Sequence, residues 1–383
     1  MKKLSLLIPH STFHIPHSTF HIPRSTFLVM LLLLTSCASR KQAADGRQSA
    51  TFPVFSADSA YAFCAAQCGF GPRTMNSKAH DACGEWIARK FESYGLSVTR
   101  QKADLKGYDG TILRAMNIVA SFRPELSDRI LVCAHWDSRP WADNDPDPDK
   151  HTVNVLGAND GASGVAVMLE LARLLSLQST ADSLQTTADS LQTTADSLQT
   201  MTSSTDASSE NGKLATINPK IGIDFICFDA EDWGTPQWCD TDYSGDSWAL
   251  GSKYWAAHPH VKNYKARYGI LLDMVGGEGA HFFQEAMSLQ YARKIVDKVW
   301  RAAQKIGYGS LFPKQQGGYI TDDHLPINTV AKIPCIDIIP YYPDCQQSSF
   351  GPTWHTVSDD MNHISLNTLH AVGQTLVQVL YSE

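Results

Sequence analysis

The chain has 383 residues, of which 43% are hydrophobic and 19% are charged, so it can bury a large globular core. Its formal charge of −7 and its lack of any run rich in Lys and Arg argue against a nucleic-acid partner, because phosphate binding needs clustered cations.

The first 37 residues are predicted to be a targeting segment that lies outside the fold. Two lysines follow the initial Met, residues 27–34 are apolar, and the Leu-Thr-Ser-Cys motif ending at Cys37 resembles the lipobox of bacterial lipoproteins. We expect Cys37 to be lipidated and residues 38–52 to tether an exported domain that faces the periplasm or the exterior of a bacterial cell. The membrane would then be contacted only through the lipid. The alternative is a plain secretory signal that is cleaved nearby. A membrane-spanning helix is not expected here, because the apolar run is too short.

A tandem heptad, Ile-Pro-His-Ser-Thr-Phe-His, starts at Ile8 and repeats from Ile15 and Ile22 within this leader. Its histidines suggest metal binding, but the repeated Pro and the position before the apolar run favour a non-functional expansion. Met30 offers an alternative start that would remove the repeat altogether.

From residue 53 to residue 383 we predict a single catalytic α/β domain. Two amphipathic helices with Ser caps come first, followed by two strands around a Gly-containing turn. Four strands that are apolar on both faces then alternate with four amphipathic helices, which predicts a mixed, mainly parallel central sheet flanked by helices on both faces. The predicted helices cover 56–67, 77–94, 162–177, 246–257, 289–306 and 365–381, and the predicted strands cover 96–105, 111–122, 129–133, 221–228, 268–272 and 335–339.

A second tandem heptad, Ser-Leu-Gln-Thr/Ser-Thr-Ala-Asp, starts at Ser176 and runs to about residue 200. One Leu in seven residues is too thin a stripe for a stable two-helix seam. We interpret about 178–215 as a low-complexity, solvent-exposed insertion that can extend the preceding helix and is then disordered. A partner-binding coil is the alternative.

Polar motifs follow the predicted strands. Four of five lie at strand ends or open the next helix, and ligands bind at the carboxyl ends of strands in sheets of this kind. Imidazoles and carboxylates are zinc ligands, and five candidates beside a spare carboxylate exceed what a structural zinc needs, so we predict an enzyme. The motifs are His135-Trp136-Asp137, Asn159-Asp160-Gly161, Asp229-Ala230-Glu231-Asp232, Leu272-Asp273-Met274 and Trp354-His355-Thr356.

Several motifs suggest specific roles. Asp160 precedes small residues that open a helix, where the backbone can pass close to a metal. Glu231 and Asp232 are adjacent at a strand end, so one can bind metal while the other, its pKa raised by burial and repulsion, moves a proton. Asp137 could orient the His135 imidazole. Taken singly, Asp160 could be a helix cap and the Glu-Asp pair a solvated turn.

Together the motifs resemble the M28 zinc-exopeptidase superfamily and, more closely, the bacterial, animal-like glutaminyl-peptide cyclotransferases. The resemblance covers about residues 55–178 and 216–383 and implies a zinc-exopeptidase-like fold. The motifs that carry it are Ala134-His135-Trp136-Asp137-Ser138, Gly157-Ala158-Asn159-Asp160, Phe228-Asp229-Ala230-Glu231-Asp232, Leu272-Asp273-Met274-Val275-Gly276, Asp322-Asp323-His324-Leu325-Pro326 and Trp354-His355-Thr356.

The resemblance implies a role for each matching position. Glu231 matches the catalytic proton shuttle, and Asp273 and Asp322 match carboxylates that hydrogen-bond with the shuttle and the substrate. The residues that match the ligands of a single zinc are Asp160, Asp232 and His355.

The resemblance also implies an aromatic substrate pocket. Trp354 matches a wall of that pocket, and Phe350 is a weaker match for another. A further wall is expected from a tryptophan downstream of the Glu-Asp pair, and both Trp233 and Trp238 remain candidates.

Two positions depart from the animal enzymes. Asp232 stands where they have Glu, so this ligand reaches less far, and Asp337 stands where they have a strand histidine. These departures weaken the inference about the substrate more than the inference about the metal.

The implied reaction is cyclisation of an N-terminal glutamine of a peptide or protein. Zinc would polarise the side-chain amide, the peptide's own α-amine would attack it, and ammonia would leave pyroglutamate behind. Glu231 would carry the proton from the amine to the leaving nitrogen, while the pocket orients the reacting groups and excludes water. We expect one zinc ion and a monomeric protein.

Two rival functions remain open. A two-zinc aminopeptidase of the same superfamily would use His135 and Asp273 to complete a second zinc site, with Asp160 bridging the ions and Glu231 activating water. A binding lipoprotein that keeps the fold without catalysis is the other rival, although the presence of Glu231 argues against it.

Overall fold

The computed structural model describes residues 52–198, 215–239 and 247–383. The predicted leader, most of the tether and residues 199–214 of the predicted insertion lie outside these ranges. The domain boundaries proposed there stay predictions.

Two capped helices precede the sheet, as predicted. Helix α1 covers Ala57–Cys68 and helix α2 covers Lys78–Ser93. The Ser56 hydroxyl accepts a hydrogen bond from the Ser59 amide, and the Ser77 hydroxyl accepts one from the His80 amide. Each cap satisfies an amide that the first helical turn leaves without an intrahelical partner.

The sheet has six strands in the order β1-β2-β4-β3-β5-β6 among the described residues. Three pairs of neighbouring strands are parallel: β4 with β3, β3 with β5, and β5 with β6. The other two pairs, β1 with β2 and β2 with β4, are antiparallel. The predicted mixed, mainly parallel sheet is therefore confirmed. The strands are β1 Ser97–Lys106, β2 Ile112–Phe122, β3 Arg129–His135, β4 Gly222–Phe228, β5 Gly269–Leu272 and β6 Cys335–Ile338.

Helices cover both faces of this sheet. Alternate residues of β3 point into different hydrophobic clusters: Ile130 and Val132 belong to a large one, whereas Leu131 and Cys133 belong to a smaller one. Burial on both faces explains why these strands lack polar alternation. The remaining helices are α3 Ala162–Leu198, α4 Leu250–Ala257, α5 Ala286–Lys305, α6 His324–Thr329 and α7 Leu366–Leu380, with 3-10 turns at Pro148–Lys150 and Met361–His363.

The structure extends one predicted helix, delays the start of another and adds a third. Helix α3 continues through the heptad repeat to Leu198, an extension that the sequence allowed, because the repeat contains no Gly or Pro that would stop it. Helix α4 begins at Leu250 instead of 246, since Ala249 has a left-handed backbone with φ 55°. The short helix α6 was not predicted from the periodic pattern.

The carboxyl ends of the central strands meet at one edge of the sheet, and this edge positions the polar motifs. His135 is the last residue of β3, and Asp273 directly follows β5. Asp229 to Asp232 follow β4, while Asp160 lies just before α3. None of the described helices is both long and apolar enough to cross a membrane.

Candidate metal centre

Three of the predicted side chains converge at this edge of the sheet. Asp160, Asp232 and His355 each offer a ligand atom, and these atoms lie within 4.8 Å of one another. His355 Nε2 lies 3.2 Å from Asp232 Oδ1 and 3.8 Å from Asp160 Oδ2. All three side chains are buried, at 6%, 1% and 2% exposure. The predicted ligand set therefore shares one small volume.

The environment of Asp232 fits a divalent cation. Its buried Oδ2 has no hydrogen-bond partner among the described residues, while its Oδ1 faces His355 Nε2 at 3.2 Å and Arg139 Nη1 at 3.8 Å. Burial and the nearby Asp160 raise the pKa of Asp232 to about 6, despite the opposing influence of His355. A buried carboxylate oxygen without a partner is costly, and a cation would compensate it. Two carboxylates and one imidazole form a donor set that suits zinc and leaves a position open.

The His355 imidazole is fixed on several sides. Its Nδ1 lies 3.3 Å from Asp143 Oδ1, and its ring stacks on Trp354 and Trp248 at centroid distances of 3.7 and 5.8 Å. Burial raises the pKa of the Asp143 carboxyl, but His355 and Arg139 outweigh it and hold that pKa below its usual range. The ionised Asp143 thus orients the imidazole so that Nε2 faces the other two ligands.

Asp137 contacts the Glu-Asp turn in addition to the His135 imidazole that it was expected to orient. Its two carboxylate oxygens accept hydrogen bonds from the amides of Glu231 and Asp232, both at 3.1 Å, whereas His135 Nδ1 lies 3.5 Å away. The side chain therefore holds the Glu-Asp turn after β4 as well as facing His135. Ala230 in that turn has a left-handed backbone with φ 52°, which is uncommon for a residue with a Cβ atom.

A second group shares Asp160. His135 Nε2 lies 2.9 Å from Asp160 Oδ1 and 3.2 Å from Asp273 Oδ1. Burial lowers the pKa of His135, but the surrounding carboxylates Asp137, Asp160 and Asp273 outweigh it and raise the pKa well above its ordinary value. The three ligand atoms also lie within 4.8 Å of one another. Gly161 is required beside this group, because a Cβ there would meet the His135 ring at 2.5 Å.

Glu231 faces a cavity of about 270 Å³ next to the metal ligands. Burial raises its pKa well above the ordinary value, and the negative charges of Asp322 and Asp232 add to this rise although His135 opposes it. A carboxyl with a raised pKa can both accept and return a proton near neutral pH. The cavity is lined by Asp160, Glu231, Trp248, Asp273, Met274, Tyr319, Ile320, Thr321, Asp322, Ile339, Phe350, Trp354 and His355.

Two of the four predicted pocket-wall residues, Phe350 and Trp354, line this cavity, together with Asp273 and Asp322, which were predicted to act beside Glu231. Burial raises the pKa of both aspartates, that of Asp273 to about 7. Among the residues behind the cavity, His324 is fully buried with its Nδ1 3.9 Å from Asp337 Oδ2.

The two candidate tryptophans after the Glu-Asp pair lie elsewhere. Trp233 and Trp238 pack against Trp141 at centroid distances of 5.3 and 6.0 Å, and Trp238 is 47% exposed. The wall expected from one of them is supplied by Trp248. Sequence reasoning placed Trp248 inside the predicted helix 246–257, whereas the later start of α4 leaves it in the loop that reaches the cavity.

Two supporting carboxylates were also missed. Asp143 contacts His355, as described above, and Asp359 accepts hydrogen bonds from the amides of Asn159 and Asp160. Both contact residues distant in the chain, and no local motif marks such partners.

Comparison with protein families gives a match over most of the fold. The family model described as "Peptidase family M28" matches residues 117–380. Aminopeptidase YwaD of Bacillus subtilis is 27% identical over 299 residues, which cover 75% of this chain and 49% of that protein. The glutaminyl-peptide cyclotransferase of Bos taurus is 24% identical over 282 residues, covering 68% of this chain and 64% of that protein. The chain thus spans about half to two thirds of the length of these two relatives.

Solved structures match at higher identity. A glutaminyl cyclase of Bacteroides thetaiotaomicron, bound to N-acetylhistamine, is 47% identical with a TM-score of 0.74, covering 87% of this chain and 100% of that one. The structure of a leucine aminopeptidase precursor from the same organism has the same identity and TM-score, covering 88% of this chain and 100% of that one. A glutaminyl cyclase of Tannerella forsythia is 45% identical with a TM-score of 0.74, over 86% and 100%.

Proposed function

The chain belongs to peptidase family M28, and from that premise we propose that it is a zinc-dependent glutaminyl-peptide cyclotransferase. Its substrates would be peptides or proteins with an N-terminal glutamine, which it converts to pyroglutamate with release of ammonia. The observation that carries this proposal is a trio of ligands, Asp160, Asp232 and His355, beside Glu231 in a cavity with aromatic walls. The glutaminyl cyclases at 45–47% identity support the choice of reaction.

Zinc held by this trio would act as a Lewis acid on the carbonyl of the substrate's side-chain amide. Glu231 accepts a proton from the attacking α-amine and returns it to the amide nitrogen, which leaves as ammonia. The raised pKa of Glu231 suits both directions of this transfer. Asp273 and Asp322 line the cavity beside Glu231, where they can hydrogen-bond with the shuttle and the substrate amine.

The remaining task of the cavity is to orient the substrate and exclude water. Nucleophile and electrophile belong to one glutamine, so holding the side chain curled brings the amine against the amide carbon. Trp248, Trp354 and Phe350 provide flat apolar walls for this purpose. Exclusion of water matters because hydrolysis of the amide would compete with ring closure.

We propose a single zinc ion. The buried Oδ2 of Asp232, which has no hydrogen-bond partner among the described residues, favours a cation in the trio with His355. In the group with His135, by contrast, the Nε2 atom already contacts both Asp160 and Asp273, so a proton on the imidazole satisfies these contacts.

A two-zinc aminopeptidase is the second candidate function. It is favoured by the spacing of His135, Asp160 and Asp273, which is compact enough for a second ion, and by the solved structure of a leucine aminopeptidase precursor. Incubation with an H-Gln-peptide and an H-Leu-peptide, followed by mass analysis, separates the two. Loss of ammonia from the first peptide supports the cyclase, whereas removal of Leu from the second supports the peptidase. If neither peptide changes, both proposals fail and a binding protein is favoured.

We also propose that the chain is exported, held at the membrane by lipid on Cys37, and monomeric. The lipobox-like motif that ends at Cys37 supports the anchor. Cys37→Ser should move the protein from the membrane fraction to the soluble fraction, and retention in the membrane would contradict the anchor. Light scattering of the purified protein tests the monomer.

A further inference from the structure

The loop that carries the ligand His355 also carries Asp359, whose carboxylate accepts a hydrogen bond from the backbone amide of the ligand Asp160. Asp359 is 1% exposed, and its Oδ1 accepts a hydrogen bond from the Asn159 amide at 2.7 Å. Its Oδ2 accepts one from the Asp160 amide at 3.0 Å. Each carboxylate oxygen thus satisfies one buried backbone amide of the ligand segment.

Backbone contacts reinforce the link between the two ligand segments. The Ala158 amide donates to the carbonyl oxygen of Asp359 at 3.3 Å, while the Asp359 amide donates to the carbonyl oxygen of Thr356 at 3.2 Å. The second bond closes a turn directly after His355. Asp359 therefore joins the Asp160 segment to the His355 segment through its side chain and both of its backbone polar groups.

The same arrangement recurs at the other carboxylate ligand. Asp137 accepts from the amides of Glu231 and Asp232, that is, from the ligand and the residue before it, as Asp359 does for Asn159 and Asp160. In each case the buried carboxylate fixes the ligand through its backbone amide and does not occupy the ligand's own carboxylate oxygens. The two segments that carry the carboxylate ligands are therefore held in the same way, by a buried Asp that accepts two hydrogen bonds from consecutive backbone amides.

We infer that Asp359 is a positioning residue of the metal centre, which holds Asp160 in register with His355. It belongs neither to the proposed ligand trio nor to the lining of the cavity, and it acts through the amides it binds. The inference rests on the proposed zinc site and is independent of whether the reaction is cyclisation or hydrolysis.

Asp359→Asn tests this role at nearly constant volume. The Asn side chain offers one oxygen and turns an NH2 group towards the second amide donor, so one of the paired hydrogen bonds is lost. Zinc affinity, measured by competition with a chromogenic chelator, should fall about 10–100-fold, the range typical of residues that support a ligand. At saturating zinc, kcat should recover towards the wild-type value.

Asp145→Asn is the matched control. Asp145 is also buried, and its carboxylate accepts from the amides of Val357 and Asp147 at 3.1 and 3.0 Å. It therefore supports the same loop without accepting a hydrogen bond from the amide of a metal ligand. The zinc affinity of Asp145→Asn should stay within about threefold of wild type, a smaller loss than is typical of residues that support a ligand. Equal affinities of Asp359→Asn and wild type would overturn the inference, as would equal losses in both variants.

If Asp359→Asn fails to fold, Asp359→Glu provides the same test with the charge retained and displaced by one methylene. Reduced zinc affinity in a folded Asp359→Glu protein supports the inference, and wild-type affinity overturns it. A wild-type protein that binds no zinc would reject the proposed zinc site itself. Zinc binding without cyclase activity would reject only the reaction.

Discussion

Two imidazoles flank Asp160, and their surroundings differ. On one side, His355 Nδ1 lies 3.3 Å from Asp143 Oδ1 and its Nε2 lies 3.2 Å from Asp232 Oδ1, but the buried Oδ2 of Asp232 has no hydrogen-bond partner in the described part of the chain. On the other side, His135 Nε2 lies 2.9 Å from Asp160 Oδ1 and 3.2 Å from Asp273 Oδ1, so both carboxylates already face this imidazole nitrogen.

We propose that this difference lets one M28 scaffold place five metal-type ligands and bind a single ion. A cation is needed where a carboxylate oxygen is buried without a donor, as at Oδ2 of Asp232. Where an imidazole lies between two carboxylates, a proton can serve the same electrostatic purpose as a metal. The residue types are the same on both sides, and the hydrogen bonds around them decide the outcome.

The largest expected effect separates proton transfer from metal binding. Glu231→Gln removes the shuttle without removing a ligand of either group, so turnover of an H-Gln-peptide should fall about 10²–10⁴-fold while zinc content stays unchanged. Activity near the wild-type level would show that another group moves the proton. Loss of zinc would instead place Glu231 among the ligands.

Replacing each imidazole in turn compares the two sides directly. His355→Asn should lower zinc affinity at least about 100-fold, beyond the loss expected for a residue that only supports a ligand. His135→Asn should lower the affinity less than about tenfold, because His135 would bind no metal. The comparison breaks down if metal analysis of wild type gives two zinc ions and His135→Asn removes one of them.

The pH dependence of zinc binding tests the state of Asp232. Burial and the neighbouring Asp160 raise its pKa to about 6 in the metal-free protein, so protons compete with zinc below that pH. His355 must also lose its proton to bind zinc, and although burial lowers its pKa, the carboxylates of Asp232 and Asp143 outweigh burial and raise that pKa. Zinc affinity should therefore fall as the pH drops through the pKa of His355, and more steeply below about pH 6 where Asp232 also takes up a proton. Isothermal titration at several pH values measures this, and an affinity that does not change between about pH 5 and 7 would contradict the assignment.

A smaller effect is expected from the aromatic wall. Trp248→Ala should raise the KM for an H-Gln-peptide about tenfold, which corresponds to about 1.4 kcal/mol of lost binding. Trp238→Ala is the matched control, because Trp238 is 47% exposed and packs on Trp141 away from the cavity. A larger change in KM for Trp238→Ala than for Trp248→Ala would show that Trp238, as first expected from the sequence, forms the pocket wall.

Much of the site could be predicted because its ligands lie in motifs at the ends of apolar strands. Once β3, β4 and β5 are parallel, His135, Asp232 and Asp273 must meet at one edge of the sheet. The periodic pattern of those strands and of their helices was sufficient to predict the sheet.

The supporting residues could not be predicted in the same way. Asp359 binds the amide of Asn159 across 200 residues of sequence, and backbone amides leave no signature in the sequence. The position of Trp248 at the cavity could not be predicted, because the left-handed backbone of Ala249 delays the start of α4 and leaves the tryptophan outside the helix. Contacts of this kind depend on tertiary structure and turn conformation, which local patterns do not determine.

The most direct test of the single-zinc account is a titration of metal-free protein with zinc while ammonia release from an H-Gln-peptide is recorded. We expect activity to rise linearly and to level off at one zinc ion per chain. Activity that requires two ions per chain, or the absence of ammonia at any zinc concentration, would contradict the account.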